Sequence, residues 1–436
     1  MRLASITGLF GANSSGKTSI LQLLLMLKQT VESTDRTQVL TFGDEKSLTN
    51  LGGYKDVVYG HNLVSNITFE VKWNLLEQLH VFSPEDIKQM LFSTKQLAFF
   101  CKIGENGTGK LAVYHLDYEA AGYRFALTRK EQVGSEYELH SSESNFHFIR
   151  FPGREGSLPL PVKCYGFPDQ VYAAYQNAGF LAELQLEFED LMGRVYYLGP
   201  LREFPHRYYA WNASDPADMG LRGENVVDAL LSAKQRGAYL TQSQTEIRLS
   251  LEQQVARWLK ELGLIHSFSV VPVAVDTNIY QVRVQKTSSS APVLITDVGF
   301  GVSQILPVLV LCYYAPEGSI ILLEQPEIHL HPAVQSGLAD VLIDAVKTRK
   351  VQIIVESHSE HLLRRLQRRI AEQSISPEET TLYFCEAVNE GSKLMPLHVD
   401  MFGNITNWPP AFFGDEFVEM AAMTKAAVRR KQENRE

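Results

Sequence analysis

Cysteine is scarce: Cys101, Cys164, Cys312 and Cys385 are scattered through 436 residues and form no CxxC pair. That absence argues against a disulfide framework or a thiolate zinc site and fits a reducing cytoplasm. No apolar run approaches the roughly 18 residues that a membrane span needs. The densest, ILQLLLMLK, stands where a buried helix belongs, and the opening MRLASITGLFG lacks the basic segment and apolar core of a secretory signal. Basic charge is not in excess. A formal net charge of −9 gives no general reason to hold nucleic acid, so such a contact would need a local patch. No segment sustains heptads, and neither an internal repeat nor a low-complexity tract is visible. What remains is an ordinary globular composition, 45% hydrophobic and 21% charged, in a chain too long for one small domain.

Against that plain background one stretch is highly specific. Gly11-Ala12-Asn13-Ser14-Ser15-Gly16-Lys17-Thr18 is a full G-x-x-x-x-G-K-[ST] match, followed by Ser19. The glycines let backbone N–H groups wrap phosphates closely, Lys17 reaches the β- and γ-phosphates, and the Thr18 hydroxyl ligates magnesium. Leu3 to Phe10 read as a short buried strand and the residues from Thr18 onward as a buried helix, whose N-terminus favours an anion. The loop predicts ATP with Mg2+ as the ligands. The strand begins close to Met1, so either the chain start is short or that edge of the sheet is built in some other way.

A second set of signals lies some 280 residues later. In ITDVGFGVSQILPVLVLCYY, Gly299, Gly301, Ser303 and Gln304 form a glycine-serine turn opening an apolar helix, read as Ile305 to Tyr313 with Pro307 early in it. SIILLEQPEIHLHP then delivers Glu324, Gln325 and Glu327 to a strand end, and VQIIVESHSEHLL is a strand ending at His358 before a helix from Glu360 to Glu372. Between them Val334, Leu338, Val341, Leu342 and Ala345 share one helical face. Strand, helix and strand in this order predict a parallel βαβ unit with Glu324 and His358 at its ligand-binding edge.

This order of motifs resembles the prokaryotic AAA/ABC-type ATPases related to SMC, RecF-like and OLD-family heads. The similarity extends to LGGYKDVVYGHN, YYLGPLREFPHRYY and MFGNITNWPPAFFGDEF, segments shared with an ATP-binding family that has an uncharacterised C-terminal part. The resemblance implies an α/β head with a mixed or parallel core sheet, an antiparallel β subdomain and a helical insertion, without a long coiled coil. It also implies that Glu324 holds the magnesium shell and His358 senses the γ-phosphate. Two protomers would sandwich two nucleotides, Ser303 of one capping the phosphate held by Lys17 of the other, in a homodimer or higher homo-oligomer. A partner effector such as a nuclease, in genome defence or DNA maintenance, belongs to the same expectation, because residues 359–436 show no D-x-D cluster like that of OLD nucleases. The alternative is a repair or recombination ATPase that binds DNA directly.

Gln325 stands where such heads carry a glutamate. An amide cannot accept a proton at neutral pH, although it can orient water, so slow turnover is expected. Either Gln325 merely replaces a missing base or Glu327, beyond Pro326, has taken the role. The resemblance favours the first, since the residue after the magnesium carboxylate lies beside the γ-phosphate in these heads. His329, His331, His358 and His361 suggest a metal cluster at first sight, but the flanking motifs already account for them. Arg364, Arg365, Arg368 and Arg369 read as a solvated helix face rather than a phosphate-backbone contact. The expected organisation is a phosphate-loop part (1–60), a β-rich insertion (61–190), a helical and strand linker (191–290), the second half of the ATPase core (291–385) and a C-terminal segment (386–436). Helices are read over 168–192 and 225–263, with the tail KAAVRRKQENRE a frayed helix or partner contact.

Overall fold

The computed structural model describes residues 1–82, 89–130, 136–142, 146–241, 248–389, 391–409, 423–426 and 430. Most of the tail, and residues 410–417 of the segment 401–417, therefore lie outside the described residues. Two compact units emerge, one of residues 1–20 with 196–436 and one of residues 21–195.

In the first unit the phosphate-loop strand β1 (Ile6–Gly11) lies inside a six-stranded sheet. A strand flanked on both sides is largely apolar, and Ile6 to Phe10 are all buried, Thr7 with its Oγ1 bonded to the Ala4 backbone. The other strands are β2 (Val195–Leu198), β3 (Ile320–Glu324), β4 (Gln352–Glu356), β5 (Thr380–Val388) and β6 (Gly391–Leu397), in the order β6-β5-β1-β4-β3-β2. β1 runs parallel to β4 and β5, β4 is parallel to β3, and β5 and β6 form an antiparallel hairpin. This answers the oddity at the chain start: the neighbour of β1 on that side is β5, from far along the chain. Register pairs Leu9 with Glu356 and Glu356 with Glu324, so three parallel strands end together.

Helix α1 (Lys17–Glu32) follows the loop directly. Helix α2 (Phe300–Tyr314) is buried continuously from Val302 to Tyr313, as a helix apolar on nearly every face must be, with Ser303 and Gln304 the polar residues within that run. It starts five residues earlier than expected, which places Pro307 in its interior. Without an N–H, Pro307 leaves the Ser303 carbonyl short of its usual helical donor. The ring is seated against Gly223, where a Cβ would meet the Pro307 side chain at 2.7 Å. Helix α3 (Pro332–Arg349) buries the predicted face of Val334, Leu338, Val341, Leu342 and Ala345. Helix α4 (Glu360–Ala371) buries Leu362, Leu363, Leu366 and Ile370. β4 stops at Glu356, two residues before His358. The helix expected over 225–263 is split into Val226–Gln235 and Leu251–Glu261. Gly237 at φ +62° follows the first, and a Ser250–Gln253 capping box starts the second.

The second unit carries five antiparallel strands in sequential order: Ile67–Phe82, Met90–Glu105, Leu111–Ala120, Tyr123–Arg129 and Tyr137–Ser141. GENGTG is the tight turn between the second and third, with Gly107 and Gly109 both at positive φ. Phe99 contacts Tyr118 and Phe188 with ring centroids 4.8 Å apart, and Phe125 meets Phe180 edge-on at 4.7 Å. Phe188 comes from the helix Leu181–Gly193.

Candidate active site

The phosphate loop spans the gap between Gly11 and the first turn of α1. Gly11 and Gly16 adopt φ +141° and +87°, and a Cβ on them would lie 2.2 Å from the Cys385 carbonyl oxygen and 2.4 Å from Ser392 Oγ. Only glycine fits so close to the β5–β6 hairpin. Ser14 takes φ +61°. Lys17 is buried and its Nζ donates to the carbonyls of Gly11 (3.1 Å) and Ala12 (2.7 Å), curling the loop around the ammonium. Burial pulls its pKa below the usual lysine value, with the Glu356 carboxylate opposing that shift. Asn13, Ser14 and Ser19 are exposed, whereas Ser15 is buried and its hydroxyl has no hydrogen-bond partner.

The strand ends supply carboxylates. Thr18 Oγ1 donates to Glu356 Oε2 at 2.8 Å. Glu324 ends β3 and accepts from the Tyr197 hydroxyl on β2 at 2.9 Å. Burial pushes the Glu324 carboxyl up to about 7; the Tyr197 hydrogen bond and the Arg202 charge act against this, and Glu356 adds to it. Gln325, at φ +42°, is half-buried and donates its backbone N–H to the Glu356 carbonyl at 2.8 Å, closing β3 onto β4. Glu327 is buried: Oε1 accepts the His358 backbone N–H at 2.7 Å and Oε2 has no partner. Burial raises its pKa, with that backbone hydrogen bond opposing the rise. His358 is driven below its ordinary value by burial and then by Lys17.

These residues fit a magnesium nucleotide. Hard oxygens of Thr18, Glu324 and Glu356 converge where magnesium would be held. Ser15 Oγ, Glu327 Oε2 and two nitrogens of Arg202 are buried polar atoms without partners, a pattern that marks functional sites. Lys17, Thr18, Glu324, Glu327 and His358 are thus brought together. Gly301, Ser303 and Gln304 are not part of that network. Ser303 and Gln304 are buried in α2, and the Ser303 hydroxyl donates to the Phe300 carbonyl at 2.8 Å. The exposed part of that turn is Gly299 and Phe300.

Glu356, Tyr197 and Arg202 were not singled out by sequence reasoning. VESH offered a signal for Glu356, a carboxylate at the end of an aliphatic strand as in ILLE. Tyr197 and Arg202 lie in YYLGPLRE, whose likeness was visible but whose chemistry was not. The histidines have separate duties: His331 caps α3 and the His329 ring packs 5.4 Å from that of Phe300. Among the described residues no group of three or more His, Cys, Asp or Glu is disposed to hold a metal by itself. The α4 arginines are ion-paired, Arg365 and Arg369 to Asp340 of α3 (2.7 and 2.6 Å), Arg364 to Glu360 and Arg368 to Glu372. These pairs, with Arg364 and Arg368 still exposed, fit the solvated helix face expected there. No described helix is long and apolar enough to cross a membrane.

Residues 215–363 match the family model described as AAA ATPase domain, and residues 375–423 match one described as Protein of unknown function (DUF3696). The first takes in α2, β3, α3, β4 and His358; the phosphate loop lies outside it and stands on its own pattern. No curated protein matches the chain. Among solved structures, the chain is similar to the SMC head domain from Thermotoga maritima (11% identity, 92% of this chain and 93% of that one, TM-score 0.36). It is also similar to an SmcHead bound to the C-winged helix domain of ScpA (9%, 90% of each, 0.41). A third is a Smc head domain with an extended coiled coil bound to the C-terminal domain of ScpA, derived from Pyrococcus furiosus (9%, 98% and 94%, 0.37). At these TM-scores the likeness adds nothing to what the family match and the motifs carry.

Proposed function

We propose that this chain, whose residues 215–363 match an AAA ATPase domain, is a P-loop ATPase that hydrolyses ATP slowly, with Glu327 as the proton acceptor. The observation that carries this reading is Glu327 itself. One oxygen is fixed by the His358 N–H, the other is unpartnered, and burial makes the carboxylate a better base than a solvated one. Gln325 follows Glu324 directly but can only orient water, which keeps turnover slow. Lys17 and the loop N–H groups hold the phosphates. Thr18 and Glu324 hold magnesium, with Glu356 positioning Thr18 and Tyr197 positioning Glu324. Magnesium, when bound, neutralises charge on the phosphate oxygens. Steady-state phosphate release by Glu327→Gln tests the assignment: loss of turnover with ATP binding kept is expected, and unchanged turnover refutes it.

The nucleotide state is proposed to control association of two copies, and through it a partner effector such as a nuclease, in a cytoplasmic prokaryotic defence or DNA-maintenance role. Support comes from apolar side chains left exposed near the start of α2: Phe300 (43%) and Phe204 (62%), whose rings lie 5.8 Å apart, together with Leu201 (67%). Light scattering should show a mass that rises with ATP for the parent and not for Phe204→Asp. Equal masses with and without ATP for the parent would count against the switch.

A further inference from the structure

Arg202 is the most unusual charged residue in the ATPase unit. Its side chain is buried, with 6% of the residue exposed, and neither Nε nor Nη1 has a hydrogen-bond partner. The half-buried arginines do not share this state. Arg194, Arg257 and Arg349 each leave one nitrogen unpartnered but hold an acceptor with another. Nearby on the surface, Arg207 pairs with Asp297 at 2.8 Å and Arg222 with Glu203 at 3.6 Å. Among the described residues Arg202 makes no ion pair.

The guanidinium is nevertheless placed with care. Backbone bonds from Gly199 to Leu221 and from Glu203 to Arg222 fix the loop that carries it. Tyr197, five residues earlier, donates to Glu324. Arg202 feels the Glu327 and Glu324 carboxylates, yet neither comes within ion-pairing distance. Burial lowers its pKa only to about 10, so it remains a cation at neutral pH. A buried cation with open donors is an anion site, and a planar fork of N–H groups suits phosphate oxygens better than a point charge does.

We propose that Arg202 binds the γ-phosphate of the nucleotide held by the same chain, acting opposite Lys17 at the reacting end of the site. This inference rests on the nucleotide-site reading above. It assigns the γ-phosphate rather than the inner phosphates because Arg202 neighbours Glu324 and Glu327, the groups for metal and water, and not the body of the loop. Charge that accumulates on the phosphoryl oxygens is then met from both sides, without a residue from another protomer.

Calorimetry with ATPγS and with ADP, each with magnesium, separates the possibilities. Arg202→Ala is expected to weaken ATPγS about 10-fold or more, leave ADP unchanged and lower turnover at least about 10²-fold. Arg202→Lys keeps the charge and should recover ATPγS affinity more than turnover, since one ammonium cannot reproduce the fork. Equal weakening of ATPγS and ADP in both variants, or no change in either, overturns the proposal. The reading beneath it fails separately, if the parent binds neither nucleotide.

Discussion

Buried polar groups are treated in opposite ways in two regions of this molecule. Within residues 21–195 the largest buried phenols are satisfied by the backbone: Tyr118 donates to the Tyr165 carbonyl at 2.9 Å and Tyr137 to that of Val113 at 2.6 Å. Trp73 and Arg194 each leave a single nitrogen unmatched there. Around the ends of β1, β3 and β4, by contrast, Ser15, Arg202 and Glu327 all keep open donors or acceptors, and Gln325 holds a left-handed backbone. Aromatic packing is what stabilises the first region. The second retains unmet hydrogen-bonding capacity that costs stability and that a polar ligand would satisfy.

The sharpest way to break the contrast is to remove the cation of the loop. Lys17→Ala should abolish magnesium–ATP binding and leave the melting temperature without nucleotide close to that of the parent. Calorimetry showing parental affinity would end the phosphate-loop assignment. Glu327→Gln should lower phosphate release by about 10²–10⁴-fold, whereas Gln325→Glu should move it far less. The reverse order would return the role to position 325, as the sequence had suggested.

In the packed region the effect should be on stability alone. Phe125→Ala removes a side chain that meets Phe146 and Phe180 edge-on, and should cost about 3–5 kcal/mol in denaturant unfolding. ATP affinity measured well below the unfolding transition should not change; a parallel loss would mean that the two regions are not separable in this way.

The smallest effect expected is a gain. The Glu324 carboxyl titrates near 7 when folded against an ordinary 4.5, so folding takes up a proton between those values. Stability is therefore present below about pH 4.5 and declines as pH rises towards 7. Glu324→Gln should stabilise the nucleotide-free protein at pH 8 by on the order of 2 kcal/mol and hardly at all at pH 4.5. Melting curves at the two pH values check the sign, and magnesium-dependent ATP binding should be lost in the same variant.

Local chemistry was legible in the sequence and long-range pairing was not. The Gly11–Thr18 spacing, the aliphatic run into Glu324 and the α3 face from Val334 to Ala345 are written within short windows, so reading them needs no knowledge of neighbours. Glu356 acquires its meaning only because β4 lies beside β1, which brings it to Thr18. Arg365 and Arg369 looked like a free basic face until Asp340 of the preceding helix was placed opposite them. Pro307 was misplaced for a smaller reason, since the helix already begins at Phe300 behind an extended Gly299.

The position of β5 bears on how the protein is made. β1 is made long before its partner on one side, which runs from Thr380, and the pair Gly11–Cys385 closes a separation of more than 370 residues. At about 5–20 residues per second, β1 waits on the order of a minute for that neighbour. Until then it is a mostly apolar strand with an open edge, the kind of segment chaperones shield. A nascent chain stalled before Thr380 already contains the phosphate loop, Glu324, Glu327 and His358. It still lacks the strand against which Gly11 is seated.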